Sequence, residues 1–166
     1  MTVPGGTAGT IARWGAGLLR TRWLVRVPIW LYRLGLGALF GRRLLMLEHV
    51  GRRSGARRYV VLEVVDRRPP DTWVVVSGFG DRAQWFRNLQ ANPHARVYLG
   101  SRRPAPATAR VLAPEEARAA LAAYARRHPR AWATLRPVFE STLGARIDTG
   151  ATSLPMVALE LDHPVG

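Results

Sequence analysis

Short apolar runs separated by turn-forming residues dominate the chain from about residue 43 onward. Runs of this length that are rich in β-branched and aromatic side chains and bounded by Gly, Pro, Asn or Asp are typical of strands. The runs lie at 44–50, 58–65, 73–77, 96–99, 107–112 and 154–161. The pattern therefore predicts six strands, and it shows neither an internal repeat nor a second domain.

Helical signals fall between the later strands. Residues 84–91 predict a short helix that Asn92-Pro93 ends. The stretch 113–116, Ala-Pro-Glu-Glu, is a good helix start, because Pro and acidic side chains are favoured in a first turn. The Ala-rich helix that follows is expected to reach about Arg127. His128-Pro129 then breaks it, and a second helical piece is predicted over about 130–142.

The first 42 residues have a different texture. Residues 1–10 are small and polar and predict a disordered tail, whereas residues 11–42 predict two helices broken near Pro28. No apolar run reaches the roughly 18 residues of a spanning helix, and the pattern does not match a signal peptide. Two interpretations stay open: helices packed over the sheet, or a segment at a membrane surface. The membrane interpretation rests on tryptophans set among arginines, namely Trp14, Trp23 and Trp30.

The charge of the chain predicts an affinity for anions. Its 166 residues carry 25 basic side chains, all of them Arg, against 11 acidic ones, for a net charge of +14. Such a field attracts nucleic acid, acidic lipid or a phosphorylated small molecule, although a merely basic surface remains the alternative. The 48% of apolar residues argues against a disordered chain, and the absence of Cys excludes disulfides and thiolate chemistry while suiting the cytoplasm.

Signatures of the common hydrolases are missing. The chain has no G-x-S-x-G, no H-E-x-x-H and no phosphate loop of the nucleotide hydrolases. The histidines lack the spacing of metal ligands; they are His49, His94, His128 and His163. A nucleic-acid binder is also disfavoured, because the arginines are dispersed and the aromatic residues lie mostly in apolar contexts.

The most informative loop is 51–58, Gly-Arg-Arg-Ser-Gly-Ala-Arg-Arg, between the first two predicted strands. Its two glycines let the backbone approach a ligand closely, Ser54 offers a hydroxyl, and four arginines offer forked donors. Backbone N–H, hydroxyl and guanidinium groups together are what a phosphate site requires. The alternative is an ordinary basic hairpin.

A second informative segment, 85–93, reads Trp-Phe-Arg-Asn-Leu-Gln-Ala-Asn-Pro. Trp85 is suited to close over a flat ring, and Asn88 can donate or accept a hydrogen bond at the edge of that ring. The alternative is a short amphipathic helix with Trp85 in the core. Neither this segment nor the loop 51–58 decides the function alone.

Together the two segments resemble the deazaflavin-dependent nitroreductase family of actinobacteria, over about residues 30–112 and more loosely in the last strand. The resemblance implies an α+β fold over residues 43–166: a split β-barrel of about six mainly antiparallel strands with flanking helices, similar to the FMN-binding barrels. It also implies coenzyme F420 as the cofactor. The expected reaction is hydride transfer from reduced deazaflavin to an enone, a quinone or a nitro compound; a non-catalytic F420 carrier is the alternative.

The resemblance carries cofactor-binding residues over to this chain. In the family the Gly-Arg-x-Ser/Thr-Gly loop grips the phosphate and the acidic tail, the next strand lines the ring, and a turn and a helix complete the site. The residues implied are Arg52, Arg53, Ser54, Gly55, Arg58, Val61, Leu62, Ser77, Gly78, Trp85 and Asn88. The chain departs from the nitroimidazole-activating members in having Val61 where they have Pro, and in lacking their tyrosine cluster.

A proton donor is therefore sought elsewhere. His128 lies where those tyrosines fall in the resemblance, and an unperturbed pKa of about 6.5 would make it a usable acid, with a surface histidine as the alternative. Tyr124 and Trp132 are the candidate residues of the substrate pocket. The expected partners are a small-molecule substrate and a second copy of the chain, with peripheral membrane contact and no nucleic acid.

Overall fold

The computed structural model describes residues 43–100, 102–150 and 154–162, except for the side chain of Thr142. The predicted tail 1–10 and the predicted helical segment 11–42 lie outside these residues. Among the described helices, none is long and apolar enough to cross a membrane.

Six strands close into a barrel in the order β1-β2-β3-β6-β5-β4, and every neighbouring pair is antiparallel. The strands are β1 Leu44–Val50, β2 Arg57–Arg68, β3 Thr72–Val76, β4 His94–Tyr98, β5 Ala105–Val111 and β6 Met156–Leu161. The predicted barrel is confirmed. Strand β2 runs beyond the predicted end at residue 65, because its register with β3 shifts between Val64 and Asp66 and pairing then continues to Arg68.

In the described part of the chain, three α-helices flank the barrel: α1 Gln84–Ala91, α2 Pro114–Arg127 and α3 Pro129–Leu143. A short 3-10 turn, Gly80–Arg82, precedes α1. Proline opens both α2 and α3, where the N–H group that it lacks would have no partner within the helix. His128 joins these two helices, and its backbone N–H donates to the carbonyl of Tyr124 at 2.8 Å.

Two apolar cores lie on opposite faces of the strands, because successive strand side chains point to opposite sides. The inner core fills the barrel and includes Leu45, Leu47 and Val75, with Trp85 of α1 packed against it. The outer core lies under α2 and α3 and includes Val74, Leu121, Tyr124 and Phe139. Since α1 joins the inner core, it is held beside the loop that connects β1 to β2.

Candidate functional site

A cavity of about 690 Å³ opens between the β1–β2 hairpin and the start of α1. We call it the arginine cavity, because Arg52, Arg53, Arg58 and Arg82 line it. Among the described residues that line it there is no aspartate or glutamate. Four guanidinium groups without a carboxylate in the wall make the cavity strongly attractive to an anion.

The hairpin 51–56 is fixed by its own backbone. The Gly51 N–H donates to the carbonyl of Ala56 at 2.8 Å, and the Gly55 N–H donates to the carbonyl of Gly51 at 2.8 Å. Gly55 has a φ of +66°, which an L side chain adopts only with strain. The Ser54 Oγ accepts from the Ala56 N–H at 3.3 Å. The glycines and Ser54 therefore build the turn that presents Arg52 and Arg53.

Arg52 is tied to α1 by three hydrogen bonds. Asn88 Oδ1 accepts from the Arg52 backbone N–H at 3.2 Å and from its Nη1 at 2.9 Å. Gln84 Oε1 accepts from the same Nη1 at 3.0 Å. Asn88 itself is buried, at 6% exposed. These hydrogen bonds join the hairpin and the helix into one wall of the arginine cavity, although Arg52 and Asn88 are 36 residues apart in the sequence.

His49 also lines the arginine cavity, and the sequence analysis gave it no role there. Its Nδ1 is 3.2 Å from Asn88 Nδ2, and the residue is only 4% exposed. Burial, and then the charge of Arg58, lower the pKa of His49, while a backbone hydrogen bond at Val50 opposes them. The available signal was its position: His49 falls on the same face of β1 as Leu45 and Leu47, and it comes two residues before Gly51.

Aromatic and aliphatic side chains form the rest of the cavity wall. Trp85 is 7% exposed and spans the inner core and the cavity, and Val60 and Tyr59 of β2 lie beside it. Phe79 also lines the cavity and is 64% exposed, which is unusual for so large an apolar side chain. Its place between two glycines in the Gly78-Phe79-Gly80 turn was the sequence signal for it. The cavity therefore combines a cationic subsite with an apolar wall.

The structure brings together six of the residues implied by the resemblance: Arg52, Arg53, Ser54, Arg58, Trp85 and Asn88. Gly55 shapes the hairpin without lining the cavity. Val61 does not line it, whereas the two residues before it on β2, Tyr59 and Val60, do. Leu62 lies in the inner core. The cofactor contacts of Val61 and Leu62 stay predictions that this geometry does not favour.

Ser77 and Gly78 likewise stay outside the cavity wall. Ser77 is fully buried, and its Oγ donates to the carbonyl of Gly80 at 2.6 Å. A Cβ placed on Gly78 would lie 2.8 Å from the ring of Phe139, so this glycine admits α3 to close contact. Both residues support the Gly78–Gly80 turn that carries Phe79. Their direct contact with a cofactor stays a prediction.

Tyr124, His128 and Trp132 lie in α2, in α3 and at the junction between them, and Tyr124 and Trp132 pack in the outer core. The Tyr124 hydroxyl donates to Glu63 Oε1 at 2.5 Å, and burial together with Glu63 raises the pKa of Tyr124 to about 12. Trp132 packs near Phe139 and lines a separate groove of about 370 Å³. His128 is exposed, with its ring 5.3 Å from that of Tyr124. None of the three lines the arginine cavity.

A metal centre has no support in the described part of the chain. No group of three or more His, Cys, Asp or Glu side chains is placed there so that it could hold a metal ion. The polar and aromatic groups that line the arginine cavity are guanidinium groups, one buried imidazole, amides and aromatic rings. These groups bind and orient; they suit a protein whose chemistry is supplied by an organic cofactor.

Known proteins resemble this chain in sequence and in fold. The model of the F420H(2)-dependent quinone reductase family matches residues 25–141. A Mycobacterium tuberculosis protein named "Putative F420H(2)-dependent quinone reductase Rv3178" is 39% identical over 94 residues, which are 54% of this chain and 74% of that protein. The solved structure of an F420-H2 dependent reductase (FDR-A) superposes with a TM-score of 0.50 at 24% identity, covering 72% of this chain and 95% of the other. A chain described as a domain-swapped dimer gives the same score and identity, with 72% and 81% covered.

Proposed function

The chain belongs to the F420H(2)-dependent quinone reductase family, and on that premise we propose that its arginine cavity holds the phosphate and acidic tail of coenzyme F420. The protein is an oxidoreductase with F420 as its cofactor. The observation that carries the proposed location is the set of four arginines in a cavity wall that has no carboxylate among its described residues.

The donors of the cavity match the anionic part of the cofactor. A phosphodiester and a chain of glutamates offer several oxygens, and guanidinium groups bind such oxygens through two parallel hydrogen bonds. Arg52 is already oriented by Asn88 and Gln84, so less conformational freedom is lost when it binds. The cavity volume of about 690 Å³ lies within the usual range for a small-molecule site.

The apolar wall is the proposed place of the deazaflavin ring. Trp85 and Val60 offer a flat surface next to the arginines, and the exposed ring of Phe79 borders the same space. When bound, the reduced cofactor supplies a hydride. The chain's own residues would hold the anionic end, orient the ring and keep water from one of its faces.

We propose a quinone as the substrate, with enones and nitro compounds as further acceptors. The family name supports the quinone. The missing tyrosine cluster argues for a different proton source from that of the nitroimidazole-activating enzymes. His128 stays the candidate from the resemblance, but it is exposed and outside the arginine cavity, so we expect water to deliver the proton. His128→Gln should then retain turnover between pH 6 and 8, whereas a loss of about 10²-fold would assign the proton to His128.

Two measurements test the proposed function. Fluorescence titration with F420, FMN and FAD should show binding of F420 and weak or no binding of the flavins. Absorbance should then show oxidation of reduced F420 by a soluble quinone, an enone and a nitroaromatic compound. A protein that purifies with FMN and ignores F420 would overturn the proposal. Binding of F420 without turnover on any acceptor would support the carrier alternative.

Two further partners remain proposals. Residues 11–42 are proposed to contact a membrane surface at the cytoplasmic side, which flotation with anionic liposomes tests by comparing the full chain with one that lacks residues 1–27. A homodimer is proposed because the chain has the fold of one described as a domain-swapped dimer. Light scattering on the purified protein decides between a dimer and a monomer.

A further inference from the structure

Three side chains connect the floor of the arginine cavity to its anion-binding wall. His49 lies in β1 one residue before its end, Asn88 lies in α1, and Arg52 lies in the hairpin. The Asn88 amide contacts both neighbours, with Nδ2 at 3.2 Å from His49 Nδ1 and Oδ1 at 2.9 Å from Arg52 Nη1. His49 is not among the residues to which the proposed function gives a role.

The contacts of Arg52 fix the orientation of the Asn88 amide. Arg52 donates twice to Asn88, from its backbone N–H at 3.2 Å and from Nη1 at 2.9 Å, and neither of these two groups can accept a hydrogen bond. Only the oxygen of the amide can receive these hydrogen bonds. The NH2 group of Asn88 must therefore face His49, and since that group only donates, His49 Nδ1 must be its acceptor.

The same reasoning fixes the state of His49. An acceptor at Nδ1 means a neutral ring with its proton on Nε2. Burial favours this state, because an imidazolium would lose its hydration at 4% exposure. The charged groups that face it are Arg58 from β2 and, through Asn88, Arg52 from the hairpin; both oppose a further positive charge.

We propose that His49 is a positioning residue of the cofactor site, which holds the Asn88 amide in the orientation that fixes Arg52 for anion binding. This inference rests on the proposed function, because it assumes that Arg52 binds the anionic part of F420. Without an acceptor at residue 49, the Asn88 NH2 would be buried and unpaired, and rotation of the amide would release Arg52. Arg52 would then have to be ordered by the ligand itself, which lowers affinity.

The substitution His49→Phe removes the acceptor and keeps a ring of similar size, whereas His49→Gln keeps an acceptor without an imidazole. For His49→Phe we expect the Kd for F420 and the KM for its reduced form to rise about tenfold, equivalent to about 1.4 kcal/mol. The kcat at saturating cofactor should be unchanged, because the proposal has His49 act through Asn88 and not on the reacting groups. His49→Gln should remain within about threefold of the wild type.

A double-mutant cycle with Asn88→Leu tests whether His49 acts through Asn88. In the Asn88→Leu background, His49→Phe should cost no further affinity. Additive losses would show that His49 contacts the ligand directly and would overturn the proposal, as would wild-type affinity in His49→Phe itself. A fall in kcat at unchanged KM would also overturn it.

A measurement on the wild type keeps the inference testable even if a variant fails to fold. The long-range ¹H–¹⁵N spectrum of the histidine rings should show His49 as the neutral form protonated at Nε2, and a proton on Nδ1 would contradict the proposal. The failure of the proposed function looks different: F420 affinity would then be unchanged in Arg52→Gln, whatever the state of His49.

Discussion

Arginines serve two different purposes in this chain, depending on what faces them. Around α2, Arg68, Arg110 and Arg127 point at carboxylates: Arg68 Nη1 is 2.7 Å from Glu116, Arg110 Nη1 is 3.0 Å from the same residue, and Arg127 Nη2 is 2.9 Å from Asp66. We call these three the paired arginines. The arginine cavity has no carboxylate among the described residues of its wall. The net charge of +14 alone does not distinguish the two sets; their partners do.

The two settings have different energetic consequences. The paired arginines join α2 to β2 and β5 through half-exposed ion pairs, which contribute little to stability because water and salt screen them. Their charge is largely compensated, so little attraction remains for a ligand. In the arginine cavity, Arg52 is held in place by amides, which orient a guanidinium without neutralising it. Binding should therefore depend on one set, and stability on the contacts around α2 and α3.

The largest expected difference between the cavity arginines and the paired arginines is in cofactor binding. Arg52→Gln and Arg53→Gln should each weaken F420 by about 1.5–3 kcal/mol, or roughly 10- to 100-fold, because each removes charge-assisted hydrogen bonds. The matched control, Arg110→Gln, removes a paired arginine and should leave the affinity within about twofold. Fluorescence titration measures all three variants. Unchanged affinity in both single variants and in their double mutant would remove the distinction between the two sets.

A substitution in the packed region beside α3 should have the opposite effect, because it should change stability rather than cofactor binding. Gly78→Ala places a methyl group 2.8 Å from the Phe139 ring and should lower the free energy of unfolding by about 1–3 kcal/mol. Phe139→Leu in the same chain should recover part of that loss. Urea denaturation measures both variants. If Gly78→Ala were as stable as the wild type but no longer bound F420, the prediction that Gly78 contacts the deazaflavin ring would gain support instead.

The Tyr124 hydroxyl is expected to matter for stability alone. Tyr124→Phe removes the hydrogen bond to Glu63 and should cost about 1 kcal/mol in the free energy of unfolding. Because Tyr124 lies outside the arginine cavity, turnover with a quinone should stay within about twofold. A large fall in kcat without a loss of stability would return Tyr124 to the substrate pocket that the sequence predicted.

The smallest expected effect is the acid sensitivity of the ion pairs that Arg110 and Arg68 form with Glu116. Hydrogen bonds from Arg110 and Arg68 lower the pKa of Glu116 from 4.5 to about 2. A depressed folded-state pKa stabilises the fold above the unfolded value and loses that contribution as the pH falls from about 4.5 towards 2. The difference in melting temperature between the wild type and Glu116→Gln should therefore be constant above pH 5 and vanish near pH 2. A difference in melting temperature that persists at pH 2 would contradict a stabilising role for the ionised Glu116 carboxylate.

Local patterns predicted the local features of this fold. The bounds of β1 at Leu44–Val50 and of α1 at Gln84–Ala91 agree with the sequence analysis, because each is an apolar pattern closed by Gly or by Asn-Pro. For the 51–58 loop the sequence left a phosphate site and an ordinary basic hairpin open, and anion binding there stays a prediction. The extension of β2 was missed because it depends on its register with β3.

Contacts between distant residues set the limit of the sequence analysis. The Arg52–Asn88 contact joins residues 36 apart, and no pattern indicates it. His49 was passed over because it has no chemical motif around it; its importance comes from the amide that faces it. The sequence analysis placed Tyr124 in the substrate pocket. In the structure its ring packs in the outer core, and its hydroxyl donates to Glu63 of β2, which is 61 residues away in the sequence.

The central claim is that the arginine cavity binds the anionic part of F420, and salt dependence tests it most directly. Fluorescence titrations should compare F420 with its deazaflavin fragment that lacks the phosphate and the glutamates, at about 0.05 M and about 0.5 M salt. We predict that F420 binds more tightly than the fragment at low salt, and that most of this advantage is lost at high salt. Equal affinities for the two ligands at low salt, with no response to salt, would contradict the account.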